Sequence, residues 1–149
     1  MVLLIPCKTI NVSNELRTMA NANSLYKISL KSACCDDLLT CLFMLGQTDV
    51  LLFNCMVPNK EYTLEELAQL SGKDKTTVFR SMQKLTSIGV VIKNSRTIPR
   101  GGYYHTYNLS DIDNIKKISI DRINSTHEGF IQLLDQLIED ISTRINPVL

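Results

Sequence analysis

The chain has no long apolar run. No stretch of its 149 residues approaches the roughly 20 apolar residues that a membrane-spanning helix needs. No export signal is expected either. The opening MVLLIPC places Cys7 after a short apolar run, but no charged segment leads it, and Pro6 stands where a cleavage site needs a small residue. An ordinary chain start, a cytoplasmic location and reduced thiols are therefore expected. Zinc-site spacing is missing too. The five cysteines (Cys7, Cys34, Cys35, Cys41, Cys55) form no C-x-x-C pair, and His105 and His127 lie far apart, so no metal site is expected. There is no Gly-rich phosphate loop, no carboxylate pair at catalytic spacing and no Ser–His or Cys–His motif. The expectation is a non-enzyme that needs no cofactor. Internal repeats and low-complexity segments are absent as well.

A strong net charge is also lacking, with 16 basic and 15 acidic residues giving +1. The distribution is less even. Residues 60–108 hold eight basic and four acidic side chains, a balance of +4, whereas 109–149 balance at −3. A basic middle before an acidic tail suggests one surface that faces anions. Apolar residues make up 44% of the chain, enough for a core in a domain of this length.

The N-terminal third is weakly patterned. Residues 13–31 carry faint helical spacing at Leu16, Met19 and Ala20, broken by asparagines. A helix over 33–45 is expected, closed by Gly46. Cys34, Leu38, Cys41 and Leu45 would share one of its faces. Free cysteine behaves as a small hydrophobe, so Cys34, Cys35 and Cys41 are expected as core filler, with a thiol sensor as the alternative. A second helix, capped by Thr48, would run to about Met56 before Pro58 ends it.

The strongest pattern follows. Thr63 and Glu66 stand at capping-box spacing ahead of the stripe Leu64, Leu67, Ala68, Leu70. Gly72 fits the left-handed position past a helix end. Asp74 is a good N-cap for the next amphipathic run, DKTTVFRSMQKLTSIG, in which Val78, Met82 and Leu85 fall at i, i+4 and i+7. Two helices around a tight Gly-containing turn make a helix-turn-helix. VVIKNSR, the turn TIPRGG and YYHTYNL then read as a β-hairpin with Arg96 and Arg100 toward its tip, and His105 among tyrosines as a packing residue of that wing.

The polar face of the second helix carries the functional reading. Lys75, Thr76, Thr77, Arg80, Ser81 and Lys84 lie opposite the apolar stripe. Hydroxyls, amide N–H groups and cations near a helix N-terminus donate to phosphate oxygens. Ser, Thr and Arg also reach base edges in a major groove that admits one helix.

At this point the segment 48–109 resembles a winged-helix domain of the MarR and TrmB kind, found in bacterial and archaeal transcription regulators. LEELAQLSGKDKTTVFRSMQKLTSIGVV and GGYYHTYNL carry the resemblance, and Ala68, Gly72 and Val78 match the helix-turn-helix spacing. Ser81 departs from it, standing where many such sequences have an apolar residue, and Met82 takes that packing role. The resemblance implies that a recognition helix at about 75–87 enters the major groove. It also implies that a wing at about 90–108 meets flanking backbone or minor groove. Larger TrmB-type proteins carry a sugar-binding domain after the winged helix. This chain is more similar to compact archaeal regulators with flanking helices alone.

The last run, 111–145, opens at Ser110 and would span roughly 50 Å at about 1.5 Å per residue. Ile123, His127, Phe130, Leu134, Leu137 and Ile141 step by 4, 3, 4, 3, 4, the seam of a coiled coil. The expected fold is thus mainly α with a small β-hairpin wing, a winged helix-turn-helix flanked by dimerisation helices. Its parts would be a supporting segment at 1–47, the DNA-binding domain at 48–109 and a dimerisation helix at 110–149. The expected partners are double-stranded DNA and a second copy of the chain, with no membrane. The alternatives are a winged helix used for protein–protein contact, as in scaffold or basal-transcription subunits, and a monomer whose last helix folds back on 33–45. No operator and no small-molecule effector can be read from these residues.

Overall fold

The structure is a computed structural model that describes residues 33–145. The faint helical spacing at 13–31 and the position of Cys7 lie outside the described residues. The elements in chain order are α1 (Cys35–Phe43), α2 (Gln47–Cys55), α3 (Leu64–Ser71), α4 (Lys75–Ile88), β1 (Val91–Thr97), β2 (Tyr103–Leu109) and α5 (Ile112–Ile145). The chain divides into two compact units, Met1–Leu109 and Ser110–Leu149. The fold is mainly helical, with a two-stranded antiparallel hairpin and a long C-terminal helix. It is a winged helix with a helical extension.

Local chemistry sets the helix-turn-helix. Glu66 N–H donates to Thr63 Oγ1 at 3.2 Å, and Thr63 N–H donates to the Glu66 carboxylate at 2.7 Å. This reciprocal box satisfies donors that the first turn of α3 cannot. The helix ends at Gly72, whose φ of 66° is left-handed, where a Cβ would be strained. Asp74 then accepts Thr77 N–H at 2.9 Å and starts α4. Gly89, at φ 91°, ends it, and its N–H reaches the carbonyl of Leu85 at 3.2 Å and that of Thr86 at 3.0 Å. These are the caps expected from sequence.

The core lies beneath α4. Leu52 of α2, Leu67 of α3, and Val78, Met82 and Leu85 of α4 are completely buried, and Val90, Val91 and Tyr107 are nearly so. Each side chain of this kind stabilises the fold by about 1.5–3 kcal/mol when removed from water. The hairpin pairs in register from Val91 with Leu109 to Thr97 with Tyr103. A short third partner joins it: Tyr62 and Tyr107 exchange two backbone hydrogen bonds of 2.8 Å. The Tyr62 hydroxyl in turn accepts Val57 N–H at 3.1 Å. The wing is thereby tied to the segment that enters α3.

Three boundaries differ from expectation. α1 ends two residues earlier, with Met44 in the left-handed conformation at φ 55°, and Gly46 N-caps α2 rather than closing α1. The cause is Asp49, which accepts Gly46 N–H at 2.9 Å and so starts α2 there, leaving Thr48 inside the helix. Ser110 does not cap α5. The helix begins at Ile112, Ile115 N–H donates to the Asp111 carbonyl at 2.9 Å, and Ser110 Oγ accepts from the Asn114 amide at 2.7 Å. The expected buried cysteines are also not found. Cys35 is exposed and Cys34 and Cys41 are half-buried, because among the described residues α1 packs chiefly against α2.

Leu85→Ala removes a side chain that is wholly buried between α4 and its neighbours. It should lower the unfolding free energy by about 2–5 kcal/mol, read as a shifted urea midpoint with an unchanged slope.

Candidate nucleic-acid interface

α4 has two faces with different jobs. The inward one carries Val78, Met82 and Leu85, and also Ser81, which is 5% exposed. Ser81 was expected on the outward face, and this is corrected. Its hydroxyl donates to Asp49 Oδ1 at 2.6 Å, a distance that holds it inward. Both Ser81 and Met82 thus point into the fold. A small polar residue fits there because a carboxylate from α2 is waiting for its proton.

Lys84 belongs largely to the same cluster. Its Nζ donates to the Met44 carbonyl at 2.6 Å and to Asp49 Oδ2 at 3.0 Å. Burial pushes the Asp49 carboxyl upward. The Ser81 hydroxyl, the Gly46 N–H and the Lys84 ammonium outweigh it and hold the group below the usual carboxylate range. Lys84 therefore fastens α4 to the α1–α2 corner before it can serve any outside anion.

The other cations of residues 60–108 divide in the same way. Lys75 pairs with Glu65 of α3. Arg96 makes a two-pronged contact with Glu61, its Nε lying 3.0 Å from Oε2, and the Thr106 hydroxyl donates to that same oxygen at 2.7 Å. Arg96 first, then Thr106, draw the Glu61 carboxyl down in pKa, while Glu61 raises that of Arg96. Lys60 sits 4.7 Å from the centre of the Tyr62 ring. Lys73, Arg80, Lys93 and Arg100 are exposed and have no hydrogen-bond or ion-pair partner among the described residues. Of the expected site residues, only Arg80 and Arg100 are cations left available. Lys73 and Lys93 were not singled out from sequence, and only the pairing of their neighbours distinguishes them.

The outward face of α4 carries Thr76, Phe79, Arg80 and Gln83, all exposed. No carboxylate occurs within α4. Thr77 is turned to the cap, its hydroxyl donating to Asp74 Oδ2 at 2.5 Å. Phe79 and Gln83 escaped the sequence reading, although they lie three and seven residues from Thr76. Their signal was rotational position alone. At the wing tip Ile98 and Gly102 close the turn by a 3.0 Å hydrogen bond, with Gly101 at φ 93° and Gly102 at φ 99° beside Arg100. His105 stands edge-on to Tyr103 at 5.4 Å between ring centres, and its Nδ1 lies 3.2 Å from Ser95 Oγ, a packing arrangement within the wing.

For the candidate thiols, burial pushes Cys34 upward, and its Sγ donates to Asp37 Oδ2 at 3.2 Å. A raised pKa is the opposite of what a thiolate sensor needs. Burial likewise raises Cys55. Among the described residues no group of three or more His, Cys, Asp or Glu is arranged to hold a metal ion, and no helix is long and apolar enough to cross a membrane.

No family model matches the chain. It is 28% identical over 119 residues to the uncharacterized protein MJ1503 of Methanocaldococcus jannaschii, covering 77% of this chain and 87% of that protein. It is also 28% identical over 100 residues to the uncharacterized protein MJ1082 of the same organism, covering 67% of this chain and 82% of that one. Among solved structures, a possible transcriptional regulator from Methanosarcina mazei superposes with a TM-score of 0.63 at 21% identity, over 68% of this chain and 86% of that one. A protein from the thermoacidophilic archaeon Sulfolobus tokodaii superposes with a TM-score of 0.50 at 26% identity, over 62% of this chain and 91% of that one. The fold is shared with these structures.

Asp49→Asn should destabilise the protein by about 1–3 kcal/mol at neutral pH, because the buried donors lose a charged acceptor. A carboxyl held low in the folded state contributes stability above its unfolded pKa and loses it as pH falls through the folded value. The gap between wild type and Asp49→Asn should therefore narrow as pH falls below about 4. Denaturant melts at pH 7, 5 and 3 measure it, and a gap constant with pH would show that Asp49 is not ionised in the fold.

Proposed function

We propose that this chain is a sequence-specific, double-stranded-DNA-binding transcription regulator of the MarR and TrmB-like kind, acting as a homodimer. The observation that carries the reading is the outward face of α4. It holds no carboxylate, and its polar groups Thr76 and Arg80 have no partner within the described chain. In a winged helix this face is the one that a major groove, wide enough for one helix, admits. Arg100 at the wing tip would meet phosphate or a narrow minor groove, where the potential is most negative. Lys75 and Arg96 would contribute charge from within their ion pairs. The description of the Methanosarcina mazei protein as a possible transcriptional regulator agrees with this reading.

In this reading residues 48–109 bind DNA, 1–47 support them, and 110–149 dimerise. α5 is the reason for a dimer. It has 34 residues and none is buried. Ile123, Phe130, Leu134, Leu137 and Ile141 are 42–54% exposed, and His127 is exposed beside them. Ile131, Ile138 and Ile145 recur at seven-residue intervals and widen the stripe. A second α5 covers such a seam by knobs-into-holes packing. A two-fold dimer then calls for a pseudo-palindromic operator with half-site centres about 34–36 Å apart.

Two experiments test this. In the first, duplex binding is followed by mobility shift across a salt series. Arg80→Ala should weaken selective binding by about 1–3 kcal/mol. Arg100→Ala should weaken all duplexes alike and lower the salt slope by about one. Wild-type protein that shows no salt-dependent affinity for any duplex would end the DNA reading. In the second, light scattering gives the assembly. The 16.8 kDa chain should run at twice its mass, and Leu134→Asp with Leu137→Asp should return it to the monomer mass. A monomeric wild type at micromolar concentration would end the dimer reading.

A further inference from the structure

Resting on that DNA-binding reading, we propose that Phe79 and Gln83 determine operator specificity. Gln83 would pair with an adenine and Phe79 would pack on a thymine methyl, so the half-site contains A·T pairs where α4 enters it.

Thr76, Phe79, Arg80 and Gln83 fall at i, i+3, i+4 and i+7, a single face of one helix. All four are exposed. The polar side chains of Thr76, Arg80 and Gln83 take part in no hydrogen bond or ion pair among the described residues. Phe79 is 38% exposed on a helix whose own Val78, Met82 and Leu85 are completely buried. The helix buries those three apolar side chains and leaves more than a third of Phe79 in solvent.

The mixture of chemistries decides the assignment. A face built only to hold phosphates needs cations, hydroxyls and N–H groups. An amide N–H can donate to a phosphate oxygen, but an aromatic ring has no polar hydrogen to give one, so it is Phe79 beside Gln83 that marks this face as more than a phosphate clamp. Base edges in the major groove use both. Adenine offers N7 and N6 to a bidentate amide, thymine offers its methyl to an apolar side chain, and guanine offers O6 and N7 to an arginine. Residues four apart on a helix have Cβ atoms about 5–6 Å apart, between one and two base-pair steps of about 3.4 Å. Phe79 and Gln83 therefore reach pairs one or two steps apart, with Arg80 beside them.

The test uses the full chain. Wild type, Gln83→Ala and Phe79→Ala each select from random duplexes that are then sequenced, and a thermal melt confirms that each variant is folded. Wild type should select at least one adenine and one thymine at fixed spacing in each half-site. Gln83→Ala should lose discrimination at the adenine by about tenfold, with the salt slope unchanged. Synthetic duplexes of the selected sequence are then made with deoxyuridine for thymine, which removes only the methyl group. This should weaken wild type several-fold and leave Phe79→Ala unaffected. The deoxyuridine result on wild type stands even if a variant fails to fold. Wild-type binding that is insensitive to the methyl, or a selected sequence unchanged in Gln83→Ala, overturns this inference and leaves the regulator reading intact. A wild type that selects no duplex at all overturns both.

Discussion

The carboxylate of Asp49 governs where α4 lies. It is buried at the start of α2 and collects the Gly46 N–H, the Ser81 hydroxyl and the Lys84 ammonium, while Lys84 also reaches the Met44 carbonyl at the end of α1. A buried carboxylate is costly unless its lone pairs are filled, so the three donors must stay in place for the fold to keep it. Apolar packing beneath α4 supplies most of the stabilisation but little direction, because burial is proportional to area and indifferent to angle. Hydrogen bonds weaken steeply when misaligned. The cluster therefore fixes the rotation of α4 about its axis, and with it which side chains face outward. Two of the residues expected on the outer surface, Ser81 and Lys84, are spent on that task.

The wing shows the same division between fastening and presenting. Glu61 holds Arg96 and Thr106, and the next residue, Tyr62, exchanges backbone hydrogen bonds with Tyr107. Acid and arginine thus tie the hairpin, at the pair next to its last before the turn, to the segment that enters α3. The tip carries Arg100 and two glycines with positive φ, and among the described residues no side-chain bond claims the guanidinium. A basic segment is therefore less uniform than its charge total suggests. Exposed pairs such as Lys75 with Glu65 are weak in water and yield readily to a phosphate, whereas the hydrogen bond from Ser81 to Asp49 is buried and stays in place.

α5 raises a different constraint. An amphipathic helix of this length owes its stability chiefly to what covers its apolar stripe, since propensity alone leaves isolated helices marginal. Gly129 lies within it and lowers that propensity by about 1 kcal/mol relative to Ala. In the proposed dimer a partner helix along the stripe would supply the missing burial, linking the assembly of the chain to the integrity of its own last element.

The sequence alone determined the elements whose causes are local. Thr63 with Glu66, Gly72, Asp74 and Gly89 each act within a few residues of themselves, so the helix-turn-helix and its limits were legible, as was the hairpin from its β-branched and aromatic runs around TIPRGG. Where a cause reached farther, the reading slipped. Asp49 moved a helix start only three residues away, because it competed with Thr48 for the role of organising that turn. It drew in Ser81 from 32 residues away and Lys84 from 35, which no periodicity records. Cys34, Cys35 and Cys41 were placed in a core, whereas among the described residues α1 packs chiefly on α2 and leaves them exposed or half-buried. The candidate interface followed the same rule. Composition and spacing marked α4 as the helix with a polar side. Only the tertiary structure separated the cations held by acids from those left free, and turned Phe79 and Gln83 outward, because the rotation of a helix is decided by what lies beneath it.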